Sequence, residues 1–596
     1  MSQPKIELAE SVSLETIGRL NEIDQSSVKH NYLVFYEQQL AQQKIPLTDI
    51  VLISGSNAAK TANTFAEYFF DATIHVFSTK KIAAEERATL LSNVNLTICS
   101  EINSMHEALI LRPRPQVIID DGDNKKSQKL SLFRELFYYL PENGQYIVED
   151  LHATYIDQLV DVDGDDIATL IERLVRLKRS PKNVRAGASA DELSLSRAIK
   201  SYTSFGKIAF VTKAGNHLYK LREHQTNAAL EAAFGRAWGS SISVIPSRKW
   251  ESRARVSSNR EDLRQRFKPN LHVPELQLRQ YSMATCQARQ VCTVGGFLLP
   301  DSFRHSGARR LSNVALEDSN QKFARIRPKK EKRHLSGTFF YLDTEYPGHF
   351  GHIMTEVVAR LWGWIEARGI FPDIRVLVSL DRDQKSIPNY QAEILATFGI
   401  ETSMIEYISP DEEVVVERLV AATPQFSNPN WSDTALRAVW GNIRDSLAAT
   451  TTELPERIFI SRKQTTVRSC NNTAQLESLF EENGFTIIFP EKLSFREQVA
   501  IFSAAKVVAG FGGSGLFGTM FAKESGTRIV IAGETYIAMN EYLISSVLAD
   551  DLHYFWCKSD KKYPPGVWTA EAFRSNFTFD FEADGERLTT LLKRLD

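Results

Sequence analysis

The chain has 596 residues, 43% of them hydrophobic and 24% charged, with a formal net charge of −2. That length exceeds one hydrophobic core, so about two to four domains of ordinary soluble composition are expected. The near-neutral balance gives no electrostatic reason to expect nucleic acid or an anionic membrane as partner.

Five cysteines, Cys99, Cys286, Cys292, Cys470 and Cys557, lie far apart with no C-x-x-C among them. They read as reduced thiols, and neither a disulfide framework nor a zinc site is expected. The N-terminal residues show no basic-then-apolar signal, and no apolar run reaches the ~18 residues of a spanning helix. The expected location is the cytoplasm, with peripheral contact at the inner face of the membrane compatible with that reading.

From the N-terminus, residues 31–155 alternate short apolar runs with helical patterns. Ile50-Val51-Leu52-Ile53 leads into Ser54-Gly55-Ser56-Asn57 and then a helical stretch through Phe65 and Phe69. Ile74-His75-Val76-Phe77, Val117-Ile118-Ile119 and Tyr146-Ile147-Val148 follow, and Lys207–Val211 is a further strand. Such alternation predicts βαβ units in a parallel sheet, closing a first domain at residue 215. Residues 216–271 read as a helical connector, with Arg248–Arg266 a solvated basic face or linker. A second basic cluster, Arg325–Arg333, contains a proline and reads as an exposed loop; contact with an anionic substrate or headgroup is a lesser reading.

From residue 272 the α/β pattern resumes in two halves, 272–445 and 446–596, which fit a two-lobed enzyme with a cleft between the lobes. His349 to Glu366 is helical in pattern, and His352, Glu356 and Arg360 fall at i, i+4, i+8 on one face. A His–Glu pair there suits a general base with its orienting carboxylate, and a surface ion-pair ladder is the plainer alternative. His349 and His352 could start a metal site, but no third ligand is evident, so no metal is expected. Arg462 and Lys463 follow the strand ending in Ile460-Ser461, where a guanidinium fork suits a diphosphate. Glu491, after Phe489-Pro490, could hold ribose hydroxyls. Ser494 could cap the helix that contains Gln498. Finally, the turn Gly512-Gly513-Ser514-Gly515 lies between an apolar strand and the start of a helix, an arrangement that presents backbone N–H groups to phosphate. A glycine turn packed on a neighbouring strand is the alternative.

In this order the C-terminal motifs resemble glycosyltransferase family 61, including bacterial capsular-polysaccharide members, over residues 272–596. The matching positions are His352, Glu356, Arg360 and Leu361; Ser461 and Arg462; Gly484, Phe485, Pro490, Glu491, Leu493, Ser494 and Gln498; and Gly513, Ser514, Gly515, Leu516 and Phe521. The resemblance implies a GT-B-like pair of Rossmann-type lobes, 272–445 on the acceptor side and 446–596 on the nucleotide-sugar side. It implies inverting transfer from a nucleotide-sugar donor to a glycan or lipid-linked glycan acceptor in surface polysaccharide synthesis, without an essential metal or other cofactor. His352 with Glu356, or Glu356 itself, is then the base. His349 and Arg360 are supporting residues. Arg462, Lys463, Glu491, Gln498 and the N–H groups of Gly513, Ser514 and Gly515 are the donor-binding set. Many relatives carry His where this chain has Gly512, and bacterial ones often carry His at Phe517.

In the first half, Ile118–Asp123, Phe133–Phe137 and Leu140–His152 resemble class I S-adenosylmethionine-dependent methyltransferases of the sugar- and macrolide-tailoring kind, over residues 30–215. The cofactor turn departs from that pattern at Ile53–Ala59, and no acidic residue follows the second strand near Phe77-Ser78-Thr79. A degenerate methyltransferase-like domain is therefore the favoured reading. An S-adenosylmethionine-using bifunctional enzyme is one alternative, and a decayed scaffold of a polysaccharide-assembly complex is another. The acidic residues Asp120, Asp121, Asp123, Glu149 and Asp150, with His152, could hold a divalent ion or be relics of a lost site.

Overall fold

A computed structural model describes residues 12–41, 46–55, 57–181, 185, 187–448, 453–462 and 467–595. Three large sheets organise them. The first contains β1 (Asp49–Ser54), β2 (Thr73–Ser78), β3 (Val94–Ile98), β4 (Val117–Asp121), β5 (Gln145–Val148), β6 (Ile199–Phe205) and β7 (Ile208–Lys213), in the order β3-β2-β1-β4-β5-β7-β6. Strands β1 to β5 are parallel, whereas β7 runs antiparallel to both β5 and β6. The continuous apolar run of β1 is buried along its whole length, as a strand with helices on both faces requires. This is the Rossmann-like unit that the alternating pattern predicts, and its strand order reverses between β1 and β4, with β2 and β3 added on one side and β4 and β5 on the other.

The second sheet is mixed. At its centre the long strand Leu276–Gln287 pairs antiparallel with Glu412–Ala422, which pairs parallel with Glu331–Tyr341. Arg375–Ser379 and Ile405–Ile408 extend the parallel side. Only part of the 272–445 half is therefore Rossmann-type. The cause is local: Val291–Val294 follows Gln287 at once and folds back on it as a hairpin. Parallel pairing would need a crossover of a dozen or more residues. The third sheet, in the 446–596 half, has the parallel order Arg255–Ser258, Asp551–Ser559, Thr527–Gly533, Val507–Phe511, Arg457–Ile460, Thr486–Ile488.

The expected helical connector at 216–271 is corrected. Helix is confined to Thr226–Phe234 and the single turn Glu261–Arg264, and short strands separated by irregular segments make up much of the rest. Gly239–Ile245 joins the second sheet, Arg255–Ser258 edges the third, and Arg248–Glu251 pairs with Asn270–Val273. The arginines hid the strand pattern, and three of them have an acidic partner distant in the sequence or on another element. Arg248 pairs with Asp433, Arg255 with Asp551, and Arg260 with Glu534. The basic cluster at 325–333 is likewise strand at both ends, with Arg333 held by Glu406 and Glu412.

Apolar cores run across these units. One cluster joins Val51, Ile118 and Val148 of the first sheet to Tyr281, Cys292 and Leu419 of the second. Another joins Leu278 and Val376 to Ile460, Val508 and Val530 of the third. Arg114 bolts the first junction, donating from Nη2 to the carbonyls of His217 at 2.7 Å and Gly296 at 2.6 Å. A Cβ on Gly296 would lie 2.4 Å from the Arg114 side chain, so only glycine leaves room for it. Beside it, burial and the charge of Arg114 lower the Lys213 ammonium to about 7.

With a shared core, the first and second sheets should unfold together. Scanning calorimetry should show no separate early transition for the first sheet. Arg114→Ala should lower the melting temperature, because two buried carbonyls each lose a donor worth roughly 1–3 kcal/mol. An isolated low-temperature transition in the wild type would contradict the shared core.

Candidate active site

The segment after Pro347 opens the site. Phe350–His352 starts a helix, Ile353–Val357 widens into a π-turn, Val358–Arg360 tightens, and Leu361–Ile370 continues as regular α-helix. Single π-turns inside helices are frequent at functional sites. The expected His352–Glu356 pair forms, with Nδ1 2.7 Å from Oε1. The wide turn carries Arg360 away from it: its Nη1 donates to the Asp343 carbonyl at 2.9 Å in the interior. Arg360 therefore does not complete the predicted polar stripe.

Glu356 gathers further donors. Arg304 Nε lies 2.6 Å from Oε1, and the Thr344 hydroxyl donates to Oε2 at 2.9 Å. Burial alone would raise this carboxyl, yet the Arg304 charge and the His352 bond hold it well below the usual glutamate range. A carboxylate only accepts, so His352 Nδ1 carries the hydrogen, and in the neutral form of the ring the lone pair is then on Nε2. The ring is fixed by stacking on Tyr346, at 4.5 Å and 17°, and by an edge contact with His349 at 4.7 Å. Arg304 in turn lies over the Tyr346 ring. Burial lowers the His349 imidazole, and burial with the charge of Arg304 lowers the neighbouring His305 to about 4. No group of three or more His, Cys, Asp or Glu side chains among the described residues could hold a metal ion.

These side chains face a cavity of about 730 Å³. Its opposite wall comes from the third-sheet half and includes Gly513, Ser514, Phe517, Arg468, Trp568 and Arg574. The two sides touch at Gly351, where a Cβ would lie 3.1 Å from Ser514 Cβ and 3.4 Å from the Phe517 ring.

The glycine turn joins the strand Val507–Phe511 to a 3₁₀-helix, Ser514–Phe521. Gly513 has φ +134°, a conformation that favours glycine, and a Cβ there would come 2.5 Å from the Arg462 guanidinium. Its N–H is already used: it donates to Glu541 Oε1 at 2.6 Å. That corrects its assignment to phosphate. Gly515 packs toward Ile460, and Ser514 is the turn residue with a side chain on the cavity. The space that a histidine at Gly512 would need is filled by Ala532 and Tyr536, about 3 Å from a Cβ built there. Phe517 is buried.

The other predicted donor-binding residues divide. Arg462 is a buried brace of the turn, donating to the Gly512 carbonyl at 3.0 Å, and it does not line the cavity. Lys463 lies outside the described residues. Glu491 sits exposed in the short turn Pro490–Lys492, away from the cavity lining. Gln498 donates to the carbonyls of Pro490 and Leu493, which fixes that turn to its helix. Ser494 caps the helix as expected, in a reciprocal box with Glu497.

Sequence reasoning missed Arg304, His305, Arg468, Trp568, Phe573 and Arg574. None lies in a motif or a periodic pattern; Phe573 and Arg574 stand at the end of the one-turn helix Ala570–Phe573, and the others reach the site from loops. Arg468 sits over the Tyr536 and Phe573 rings, at 5.4 and 5.5 Å. Neither Arg468 nor Arg574 pairs with a carboxylate among the described residues.

Residues 350–530 match the glycosyltransferase 61 family. The matched segment runs from the His352 helix through the glycine turn, so it contains the His352–Glu356 pair and much of the opposite wall. Trp568, Phe573 and Arg574 lie beyond it. No curated protein matches the chain. Among solved structures, the MycE methyltransferase from the mycinamycin biosynthetic pathway, in complex with Mg and SAH, is similar at 14% identity and TM-score 0.30, over 35% of this chain and 55% of that one. Human N-acetylserotonin methyltransferase in complex with SAM is similar at 13% identity and TM-score 0.20, over 36% of this chain and 61% of that one. The chain thus spans little more than half the length of these structural relatives.

Because the folded-state pKa of Glu356 lies below the ordinary 4.5, its ionisation adds stability that is complete above that value. The contribution is lost as pH falls toward the folded-state pKa. Glu356→Gln should cost roughly 3 kcal/mol at pH 7, the lower end for a broken buried pair, because Glu345 stays 3.8 Å from Arg304. Its acid-side loss of stability should be shallower than that of the wild type in urea titrations across pH. Parallel curves for the two proteins would show that Glu356 is not held ionised.

Proposed function

We propose that the chain is an inverting glycosyltransferase that uses a nucleotide-sugar donor, with His352 as the base. The observation that carries this reading is the Arg304–Glu356–His352 relay facing a cavity whose other wall is the glycine turn and an arginine pair without carboxylate partners among the described residues. Glu356 itself is a poor base: it already accepts from three side chains and is held ionised by Arg304. It orients His352 and stabilises the imidazolium that forms.

In the proposed reaction the acceptor hydroxyl gives its proton to His352 Nε2 as its oxygen attacks the anomeric carbon. The bond from that carbon to the donor diphosphate breaks, and the electron pair leaves on the phosphate oxygen. Arg468 and Arg574 meet the developing charge, with Ser514 on the same wall. This reading moves the diphosphate from Arg462 toward Arg468 and Arg574. The Trp568 and Phe573 rings beside them supply an apolar flank for the nucleoside. Two α/β halves with a cleft between them are compatible with a GT-B-like enzyme. A glycan or lipid-linked glycan acceptor, a role in surface polysaccharide and a place at the cytoplasmic side of the membrane extend the same reading.

A thermal-shift panel of uridine, guanosine and cytidine diphosphates should identify the stabilising nucleotide. His352→Ala should then lower transfer by about 10²–10⁴-fold, the usual worth of a general base, while nucleotide affinity changes by less than about threefold. Arg468→Ala with Arg574→Ala should weaken nucleotide binding at least about tenfold, as expected for lost charge-assisted bonds. Normal turnover by His352→Ala would overturn the assignment.

A further inference from the structure

The carboxyl ends of β1 and β4 diverge at the switch point of the first sheet, the crevice where open α/β sheets bind ligands. Here the chain's own side chains occupy it. A Cβ on Gly55, just after β1, would lie 2.6 Å from Asp123 Oδ1. The bare backbone that a cofactor would approach is therefore already covered. Asp123 also accepts from the Thr79 hydroxyl at 3.3 Å and pairs with Lys80 at 3.6 Å. Thr79 and Lys80 follow β2, the position from which a carboxylate would hold a ribose.

The other side is closed by residues 13–40, which include the helices α1 (Leu14–Leu20) and α2 (Leu33–Leu40). Gln25 Nε2 donates to Asp121 Oδ2 at 3.2 Å and to Glu149 Oε2 at 3.1 Å. The Tyr36 hydroxyl donates to Glu149 Oε1 at 2.5 Å, and Tyr32 donates to Asp150 Oδ1 at 2.8 Å. Asn124 takes the second Asp150 oxygen at 3.0 Å. Glu149, Gln25 and Tyr36 are buried. Asp121, Glu149 and Asp150 thus accept from hydroxyl and amide donors of the chain itself.

We propose that residues 13–40 form an intramolecular strap that seals this crevice, so the unit takes no S-adenosylmethionine and serves as a brace for the second sheet. An adenosine cofactor would need the volume held by Asp123 and the acceptors held by Gln25 and Tyr36, and the unit offers no ribose carboxylate in exchange. The brace runs through Leu218–Lys220, which leaves the unit and pairs with Phe297–Leu298 of the second sheet.

Two measurements on the full-length protein test this, independently of the transferase reading. Isothermal titration with S-adenosylmethionine and S-adenosylhomocysteine, with and without Mg²⁺, should show no saturable binding up to about 1 mM. Saturable binding with a dissociation constant below about 100 μM would overturn the proposal. In hydrogen exchange, the helix amides of residues 14–40 should be protected in the wild type. In Gln25→Ala with Tyr36→Phe they should exchange at least about tenfold faster, while β1 and β4 stay protected. A wild-type strap that exchanges within seconds would equally refute the seal.

Discussion

The Glu356 carboxylate is the contact on which the site depends. Its partners come from three separate parts of the chain: Arg304 after the hairpin region, Thr344 after the strand Glu331–Tyr341, and His352 one helical turn earlier. Burying a carboxylate is expensive unless charge and hydrogen bonds replace water. Here that cost is offset by the same groups that set the chemistry. The buried charge holds the hydrogen on His352 Nδ1, which in the neutral ring puts the lone pair on Nε2, the acceptor in the proposed reaction. Loss of any partner disturbs stability and protonation together.

Much of the architecture could be read from apolar periodicity, and the reasons for the exceptions are physical. Strands β1, β2, β4 and β5 are buried over almost their whole length and are rich in apolar residues, so they stand out in the sequence, whereas the partly exposed edge strand β3, Val94-Asn95-Leu96-Thr97-Ile98, does not. The segment 239–273 did not, because edge strands with solvated arginines look like charged helix or linker. Arg255 is satisfied across the sheet edge by Asp551, almost 300 positions away, a pairing that no local window contains. The site divides in the same way. The His352–Glu356 pair is local in sequence, so helical spacing revealed it. Arg304, Arg468 and Arg574 meet the site only through tertiary folding, and their surroundings carry no repeat.

The glycine turn teaches a related lesson. Its composition suggested a cradle of free N–H groups, but a donor is available only if the fold has not already used it. Glu541, buried beneath the turn, takes the Gly513 N–H and also accepts from the Tyr536 and Tyr554 hydroxyls. The turn is thereby anchored to the helix Asn540–Leu548 behind it. Arg462 serves from the other side, so two residues that looked like ligand contacts are the turn's supports. What reaches the cleft is Ser514 and, from outside the family segment, the arginine and aromatic side chains around Trp568.

Gly351 gives the cleft its dimensions. At that point the helix carrying His352 meets Ser514 and Phe517 of the opposite half with no side chain of its own between them. A single methyl group there would meet Ser514 Cβ at 3.1 Å and would have to displace it. Most surfaces that flank a substrate are spaced by what the substrate fills. Here the spacing between the His352 helix and the Ser514–Phe517 wall has a built-in stop, set by an atom that is missing. The stop sits one residue from His352, so a bulkier residue at position 351 would press the two walls apart directly beside that ring.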